Sequence, residues 1–187
     1  MKKILILLSV LTSTLFSNQF KFNDFEKNGI HYVWDQPELY EKGLTVYLEA
    51  FRTLYTALNV ENRESHFQET MKHELELVKA HPKEIHWLVA MKGDRSVGLS
   101  IYEFYTYPDI YVREVAVLPE YQRKGIGREL TFAPLRDLSD VRKVAIVTRK
   151  VNKPAIAFYE SLGFHTSDFS HSEYDPNKYI GMEWIKK

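Results

Sequence analysis

Residues 115–130 read VAVLPEYQRKGIGREL, and this stretch decides the fold. An apolar strand ends at a proline, a basic pair follows, and two glycines open the next helix. Backbone N–H groups at a helix N-terminus, together with the helix dipole, favour a phosphate there. Gly125 and Gly127 would let the backbone approach an anion closely, and Arg123 and Lys124 would add positive charge. The stretch therefore predicts a phosphate-binding loop.

The loop differs from two common phosphate-binding motifs. It lacks the Gly-Lys-Ser/Thr ending of a Walker A loop, and Leu130 stands at the third glycine position of a dinucleotide fingerprint. Nucleoside triphosphates and NAD therefore lose support as ligands. An ordinary strand-to-helix turn would explain Gly-x-Gly alone, but it leaves the flanking pattern unexplained.

A second motif follows the loop. Gln122, Gly125 and Gly127 match Gln/Arg-x-x-Gly-x-Gly/Ala, and residues 152–164, NKPAIAFYESLGF, match Asn-x-x-Ala-x-x-Phe-Tyr-Glu-x-x-Gly-Phe. Together the two motifs resemble the signature of the GNAT superfamily of acyl-CoA N-acyltransferases, and the close resemblance covers residues 110–164. It implies an α/β GNAT fold, which is a mixed, mostly antiparallel sheet with splayed central strands flanked by helices.

Apolar periodicity predicts the elements around these motifs. Two upstream helices are indicated by Leu44, Leu48, Phe51, Tyr55 and Leu58 and by Phe67, Met71, Leu75 and Val78. Strands are predicted over 85–91, 96–105, 110–117, 143–148, 164–169 and 178–185. A helix from Ile126 should be interrupted at Pro134, because proline removes a donor and clashes with the preceding turn. Another helix over 155–162 should end at Gly163.

Composition limits the class of protein. The chain has 187 residues, 44% of them hydrophobic, which suits one domain over residues 20–187. Its formal net charge is zero, so nucleic acid is not an expected partner. Cysteine is absent and the seven histidines lack metal-ligand spacing, so no metal is expected. The oligomeric state is left as monomer or homodimer.

The N-terminus has the layout of a signal peptide. Met1-Lys2-Lys3 precedes a mainly apolar run over residues 4–16, which is too short for a confident membrane span. We expect residues 1–17 to be a targeting segment, and the mature domain to have no membrane span. The prediction implies export, by secretion or delivery to a host, although little acetyl-CoA is present outside a cytoplasm. The alternative is an uncleaved apolar segment that packs on a cytoplasmic domain.

The resemblance also implies roles for individual residues. The pantetheine arm of acetyl-CoA should fill the gap between the strands that end at Val117 and near Thr148, with an amide near Val115 directed at the thioester oxygen. Tyr159 is expected to protonate the departing thiolate. The alternative is that Tyr159 is only a core aromatic residue. The residues expected to bind acetyl-CoA are Val115, Ala116, Val117, Gln122, Arg123, Lys124, Gly125, Ile126, Gly127, Asn152 and Tyr159. Asn152 would contact the pantetheine, cap its helix, or do both.

An amine acceptor must lose a proton, which requires a base or a water chain. Glu114, acting through water, is the leading candidate for this base, and Glu103 and Asp109 are the next candidates. An equal alternative for Glu114 is a structural carboxylate bonded across the sheet, or a charge that simply binds the acceptor. The expected reaction is acetyl transfer to a primary amine of a small molecule, peptide or protein, by direct attack in a ternary complex. The alternative is a catalytically inactive CoA-binding or protein-interaction module.

The sequence gives weaker indications of the residues that contact the acceptor. Four aromatic residues before the cofactor strand could line an acceptor cleft, although aromatic strand residues are more often sheet core. They are Tyr102, Phe104, Tyr105 and Tyr107. Glu173 and Asp175 lie in a polar loop and could attract a cationic acceptor, but the favoured interpretation is solvated loop charge.

Overall fold

A computed structural model describes residues 20–57 and 63–187. Residues 1–17 lie outside the described residues, as does Leu58, so the targeting segment stays a prediction. Within the described ranges, no helix is long and apolar enough to cross a membrane.

The elements alternate in the order expected of an α/β chain. The strands are β1 (Phe25–Lys27), β2 (Ile30–Trp34), β3 (Ile85–Lys92), β4 (Arg95–Glu103), β5 (Asp109–Val117), β6 (Lys143–Arg149), β7 (His165–Ser167) and β8 (Tyr179–Ile185). The α-helices are α1 (Tyr40–Ala57), α2 (Arg63–Ala80), α3 (Ile126–Phe132) and α4 (Lys153–Ser161). Short 3-10 helices span Pro37–Leu39, Pro119–Tyr121 and Ala133–Arg136.

The element predictions are confirmed from α1 onwards, with small shifts at the ends. Helix α3 ends at Phe132 and continues as a 3-10 turn through Pro134, as proline requires. Gly163 follows α4 with a φ of +91°, a left-handed conformation that glycine adopts without strain. The hairpin of β1 and β2 was not predicted.

All eight strands form one sheet in the order β1-β2-β3-β4-β5-β6-β8-β7. Every neighbouring pair is antiparallel except β5 and β6, which are parallel. The predicted mixed, mostly antiparallel sheet is confirmed. Helices α1 and α2 cover one face of the sheet, where Tyr47 of α1 joins a core with Trp87 and Leu99 of the strands. Helices α3 and α4 cover the other face, where Leu130 and Tyr159 join the core.

The two parallel strands separate in the middle of the sheet. Their pairing runs only from Asp109↔Lys143 to Val112↔Ile146, whereas β5 continues to Val117 and β6 to Arg149. The expected splay is therefore confirmed. Beyond this point each strand presents a backbone edge to the gap, and the functional site is built around it.

Candidate active site

The hydrogen-bond pattern of β5 shows which backbone groups face the gap. The Leu118 N–H donates to the Val97 carbonyl at 3.0 Å. Along an antiparallel strand, every second residue directs its backbone N–H and C=O groups to the same neighbouring strand, so those of Ala116 are also directed to β4. The N–H and C=O groups of Val115 and Val117 are therefore directed to the other side, towards β6. The gap is thus edged by backbone donors and acceptors.

Strand β6 supplies a second edge. The Lys150 N–H donates to the Lys178 carbonyl at 2.9 Å, so the backbone groups of Val147 and Arg149 face away from β8 and into the gap. An extended ligand that carries amide groups can therefore pair with backbone on either side. The pantetheine arm of acetyl-CoA has this chemistry, so the residues present fit the donor that the motifs imply.

A cleft of about 530 Å³ opens from the gap towards the start of α3, and we call it the glycine-loop cleft. It is lined by parts of α1, β5, the loop after β5, α3 and α4. The predicted cofactor residues that line it are Val115, Ala116, Val117, Gln122, Arg123, Gly125, Gly127, Asn152 and Tyr159. Most of the residues predicted to bind acetyl-CoA therefore line one cleft.

Two predicted cofactor residues have side chains elsewhere. The Lys124 ammonium lies 5.0 Å from the ring centroid of Tyr121, and its residue does not line the glycine-loop cleft. Ile126 is buried in the core, so only its backbone can face a ligand. Arg128 also lines the cleft and was not predicted. Its position just after the second glycine was the available signal.

The conformation of the loop explains its glycines. Gly125 has a φ of +82°, which favours glycine, and no side chain caps the start of α3 there. A Cβ on Gly127 would lie 3.1 Å from Cζ of Phe158, so this glycine permits close packing of α3 on α4. Gln122 ties the loop to β5, because its Nε2 donates to the Val117 carbonyl at 3.1 Å.

A second cleft of about 360 Å³ adjoins the first on the α2 side, and we call it the tyrosine cleft. Its aromatic walls come from α1, α4, β8 and the loop before β8, namely from Tyr47, Phe51, Tyr55, Tyr159, Tyr174 and Tyr179. Its charged lining comes from Glu69, His73, Glu74, Arg113, Glu114, Arg149 and Glu173. Val115, Asn152 and Tyr159 line both clefts, so the two meet at the splayed strands.

A bulge in β5 directs Glu114 into the tyrosine cleft. Ile101 pairs with Glu114 and Tyr102 with Val112, which leaves Arg113 as the extra residue. Such a bulge re-aims neighbouring side chains, and both Arg113 and Glu114 line the cleft.

The Glu114 carboxyl differs from the Glu74 and Glu173 carboxyls of the tyrosine cleft in its partners and has a raised pKa. Among the described residues it makes no side-chain hydrogen bond or ion pair, unlike a carboxylate bonded across the sheet. Burial raises the pKa of Glu114 well above its usual range, and the carboxylates of Glu74 and Glu173 add to this, while Arg113 opposes it. A carboxyl with a raised pKa is a better proton acceptor near neutral pH.

The two reserve candidates for the base are engaged elsewhere. Glu103 accepts from Nη1 of Arg113 at 2.8 Å. Burial raises the pKa of Glu103, but hydrogen bonds from His171 and Arg113 outweigh it and hold that pKa below its usual value. Asp109 pairs with Arg142 at 3.3 Å at the opposite end of β5. Neither carboxylate lines the tyrosine cleft.

Tyr159 stands where the two clefts meet. Its ring packs against Phe158 and Phe164, with centroids 5.0 and 5.3 Å away. It is therefore both a core aromatic and a cleft residue. Burial raises the pKa of its hydroxyl, and the nearby Glu114 raises it further. The hydroxyl stays protonated at neutral pH and can act as a donor.

Asn152 begins α4 as a cap. Its Oδ1 accepts from the Ala155 N–H at 3.2 Å, so the helix-cap interpretation is confirmed. The residue also lines both clefts, and a contact with the donor stays a prediction.

An ion pair between Arg113 and Glu173 holds the loop before β8 at the tyrosine cleft. Buried Arg113 bonds Glu74 through Nε at 3.0 Å and Glu173 through Nη2 at 3.0 Å. The solvated interpretation of Glu173 is therefore wrong, since a buried guanidinium draws it in. Asp175 has a local role, because its Oδ1 accepts from the Asn177 N–H at 2.9 Å.

None of the four aromatic residues that could have lined an acceptor cleft lies in the tyrosine cleft, and Tyr102 and Phe104 are core residues, as the alternative held. Tyr102 is buried and its hydroxyl donates to the Leu130 carbonyl, while Phe104 is buried against Phe20. Tyr107 bonds Asp140, and Tyr105 is exposed. The aromatic walls come instead from α1 and the C-terminal segment, whose aromatic spacing looked like ordinary core.

In the described ranges, no cluster of three or more His, Asp or Glu residues could hold a metal ion.

Comparisons with known proteins agree with this geometry. The model of the acetyltransferase (GNAT) family matches residues 48–164, more than half of the chain. A mycothiol acetyltransferase from Nocardioides sp. is 36% identical over 95 residues, which cover 48% of this chain and 30% of that protein. A ribosomal protein bS18-alanine N-acetyltransferase from Escherichia coli K12 is 43% identical over 63 residues, 32% of this chain and 42% of that protein. The chain thus spans less than half the length of either relative.

Solved structures show the same fold at low identity. PaiA N-acetyltransferase from Thermoplasma acidophilum, in complex with coenzyme A, has a TM-score of 0.71 and 18% identity, covering 84% of this chain and 99% of that one. An acetyltransferase from Thermus thermophilus has a TM-score of 0.65 and 16% identity, covering 84% of this chain and 97% of that one.

Proposed function

Because the chain belongs to the acetyltransferase (GNAT) family, we propose that it transfers an acetyl group from acetyl-CoA to a primary amine by direct attack in a ternary complex. The observation that carries the proposal is the junction of the two clefts at the splayed strands. Tyr159 lines both clefts there and Glu114 lines the tyrosine cleft, and each has a polar group without a hydrogen-bond partner among the described residues.

Backbone and loop groups position the donor. Acetyl-CoA supplies an activated acetyl thioester. Val115 and Val117 pair with its pantetheine arm, and the amide near Val115 stabilises the negative charge that develops on the thioester oxygen. The N–H groups from Gly125 to Gly127, together with Arg123 and Arg128, bind the phosphates.

Two side chains move protons. Glu114, through a water molecule, takes a proton from the ammonium form of the acceptor, because an amine attacks only in its neutral form. Tyr159 donates its hydroxyl proton to the departing thiolate, which needs the proton to leave as a thiol. Its position where the two clefts meet supports this role.

The acceptor enters by the tyrosine cleft. The two relatives are named for mycothiol and for an alanine of ribosomal protein bS18. These names support an amine of a small molecule, a peptide or a protein. The inactive alternative has no observation in its favour, since both proton-handling residues are present.

An activity assay tests the proposal. The full chain is incubated with acetyl-CoA and a panel of small amines, amino acids and peptides, and free CoA thiol is measured beside the mass of each amine. We expect thiol release that depends on an amine and yields the acetylated amine. Binding of acetyl-CoA without transfer to any amine class would contradict the proposal and favour a CoA-binding module.

A further inference from the structure

Arg149 forms part of the wall of the tyrosine cleft at the end of β6. Its guanidinium carbon lies 4.9 Å from the ring centroid of Tyr55 and 5.0 Å from that of Tyr179. Its Nε donates to the Tyr55 hydroxyl at 3.2 Å. Two tyrosine rings thus hold the guanidinium while the N–H groups on Nη1 and Nη2 remain available.

The charge of Arg149 is not neutralised by the protein. In the part of the chain that the structure describes, no carboxylate lies within ion-pair distance of it. Arg113 in the same cleft differs, since it bonds the carboxylates of Glu74, Glu103 and Glu173. A planar guanidinium with free paired N–H groups binds a carboxylate in a bidentate manner.

Arg149 is not one of the basic residues that are expected to bind the phosphates of the donor. Arg123 and Arg128 line the glycine-loop cleft, which Arg149 does not. An anion bound by Arg149 therefore belongs to the other ligand, the acceptor.

The cleft carries opposite charge on its two sides. Glu114 lies on β5 and Glu69 on α2, whereas Arg149 lies across the gap on β6. The carboxylates suit an ammonium group, and Arg149 suits an anion. A ligand with both charges would satisfy both sides of the cleft.

We propose that the acceptor is an amino acid or a short peptide whose free carboxylate binds Arg149 while its amine is directed to Glu114. This assignment rests on the proposed function and names the substrate class of the same site. Tyr55, Tyr174 and Tyr179 provide apolar contact for the body of such a molecule.

The test compares dipeptides that have a free C-terminal carboxylate with the same dipeptides as C-terminal amides. Their binding to the full chain saturated with CoA is measured by calorimetry, and their acetylation is measured with acetyl-CoA. Because a hydrogen-bonded charge pair contributes about 1.5–3 kcal/mol, we expect the free acids to bind about 10- to 100-fold more tightly than the amides. In Arg149→Gln this preference should disappear, while the affinity for CoA stays unchanged.

Two variants complete the test. Arg149→Lys keeps the charge but loses the planar fork, so it should retain only part of the preference. Lys150→Gln removes the neighbouring exposed charge, which lies outside the tyrosine cleft, and should keep the full preference. Equal binding of acids and amides by the wild type would overturn the proposal, even if amines are acetylated. Selective binding of the acids without acetyl transfer would support Arg149 as the carboxylate site and contradict the proposed function instead.

Discussion

Replacement of Tyr159 by phenylalanine is expected to lower kcat by about 10²- to 10⁴-fold, the usual range for the loss of a general acid. The ring contacts with Phe158 and Phe164 are kept, so the fold should tolerate the change. Because the lost hydroxyl acts on the leaving thiolate, the dissociation constant for acetyl-CoA should change by less than about threefold. Steady-state kinetics together with calorimetry separate the two effects.

Tyr47→Phe is the matched control, since it removes a hydroxyl from another wall of the same cleft. This variant should keep kcat close to the wild-type value. A Tyr159→Phe protein that turns over at the wild-type rate would show that Tyr159 is only a core aromatic. A similar fall in both variants would point to a general disturbance of the cleft.

Replacement of Glu114 by glutamine is expected to lower kcat/KM for the acceptor by about 10²- to 10³-fold at neutral pH, because the base is lost. The deficit should shrink as the pH approaches the pKa of the amine, about 10.4 for a lysine-like acceptor, since the amine then loses its proton to the solvent. Glu69→Gln changes an exposed carboxylate of the same cleft and should have a small effect.

The pH dependence of activity provides a second test of Glu114 as the base. The active form is the ionised carboxylate, so activity is lost as the pH falls through its pKa. Burial raises that pKa above the ordinary value, and the acid limb of the wild-type profile should therefore lie above the range of an exposed glutamate. The limb should be absent in Glu114→Gln. An unchanged limb in the variant would assign the titration to another group.

The donor side was predictable because its determinants are close together in the chain. One strand, one loop and one helix start supply most of the glycine-loop cleft, and glycine positions report backbone requirements directly. Gly125 and Gly127 illustrate this, since one has a positive φ and the other packs against Phe158. Lys124 shows the limit, because sequence gives the charge of a side chain but not its direction.

The acceptor side was not predictable, because it is assembled from distant segments. Tyr55, Tyr174 and Arg149 meet only after α1, β6 and the loop before β8 are packed together. Glu173 looked like loop charge because its partner, Arg113, is distant in the sequence. The aromatic residues of α1 have ordinary core spacing, so periodicity could not distinguish a wall of the cleft from the core.

The hairpin of β1 and β2 was missed despite a local signal. Asn28 and Gly29 form its two-residue turn with φ values of 54° and 68°. An Asn-Gly pair between strand-forming residues is a strong indicator of a hairpin with a type I′ turn. The missing hairpin left the first strands out of the predicted sheet but did not affect the site.

Calorimetric titration of the full chain with acetyl-CoA tests the central claim most directly. We expect saturable binding by the wild type and at least a tenfold weaker affinity when Gly125 and Gly127 are both changed to valine, since charge-assisted hydrogen bonds of about 1.5–3 kcal/mol are lost. Gly93→Val is the control, because Gly93 has a φ of +58° but lies in the β3–β4 turn away from both clefts. This variant should bind normally. A folded wild-type chain that does not bind acetyl-CoA would contradict the account, as would a double variant that binds as tightly as the wild type.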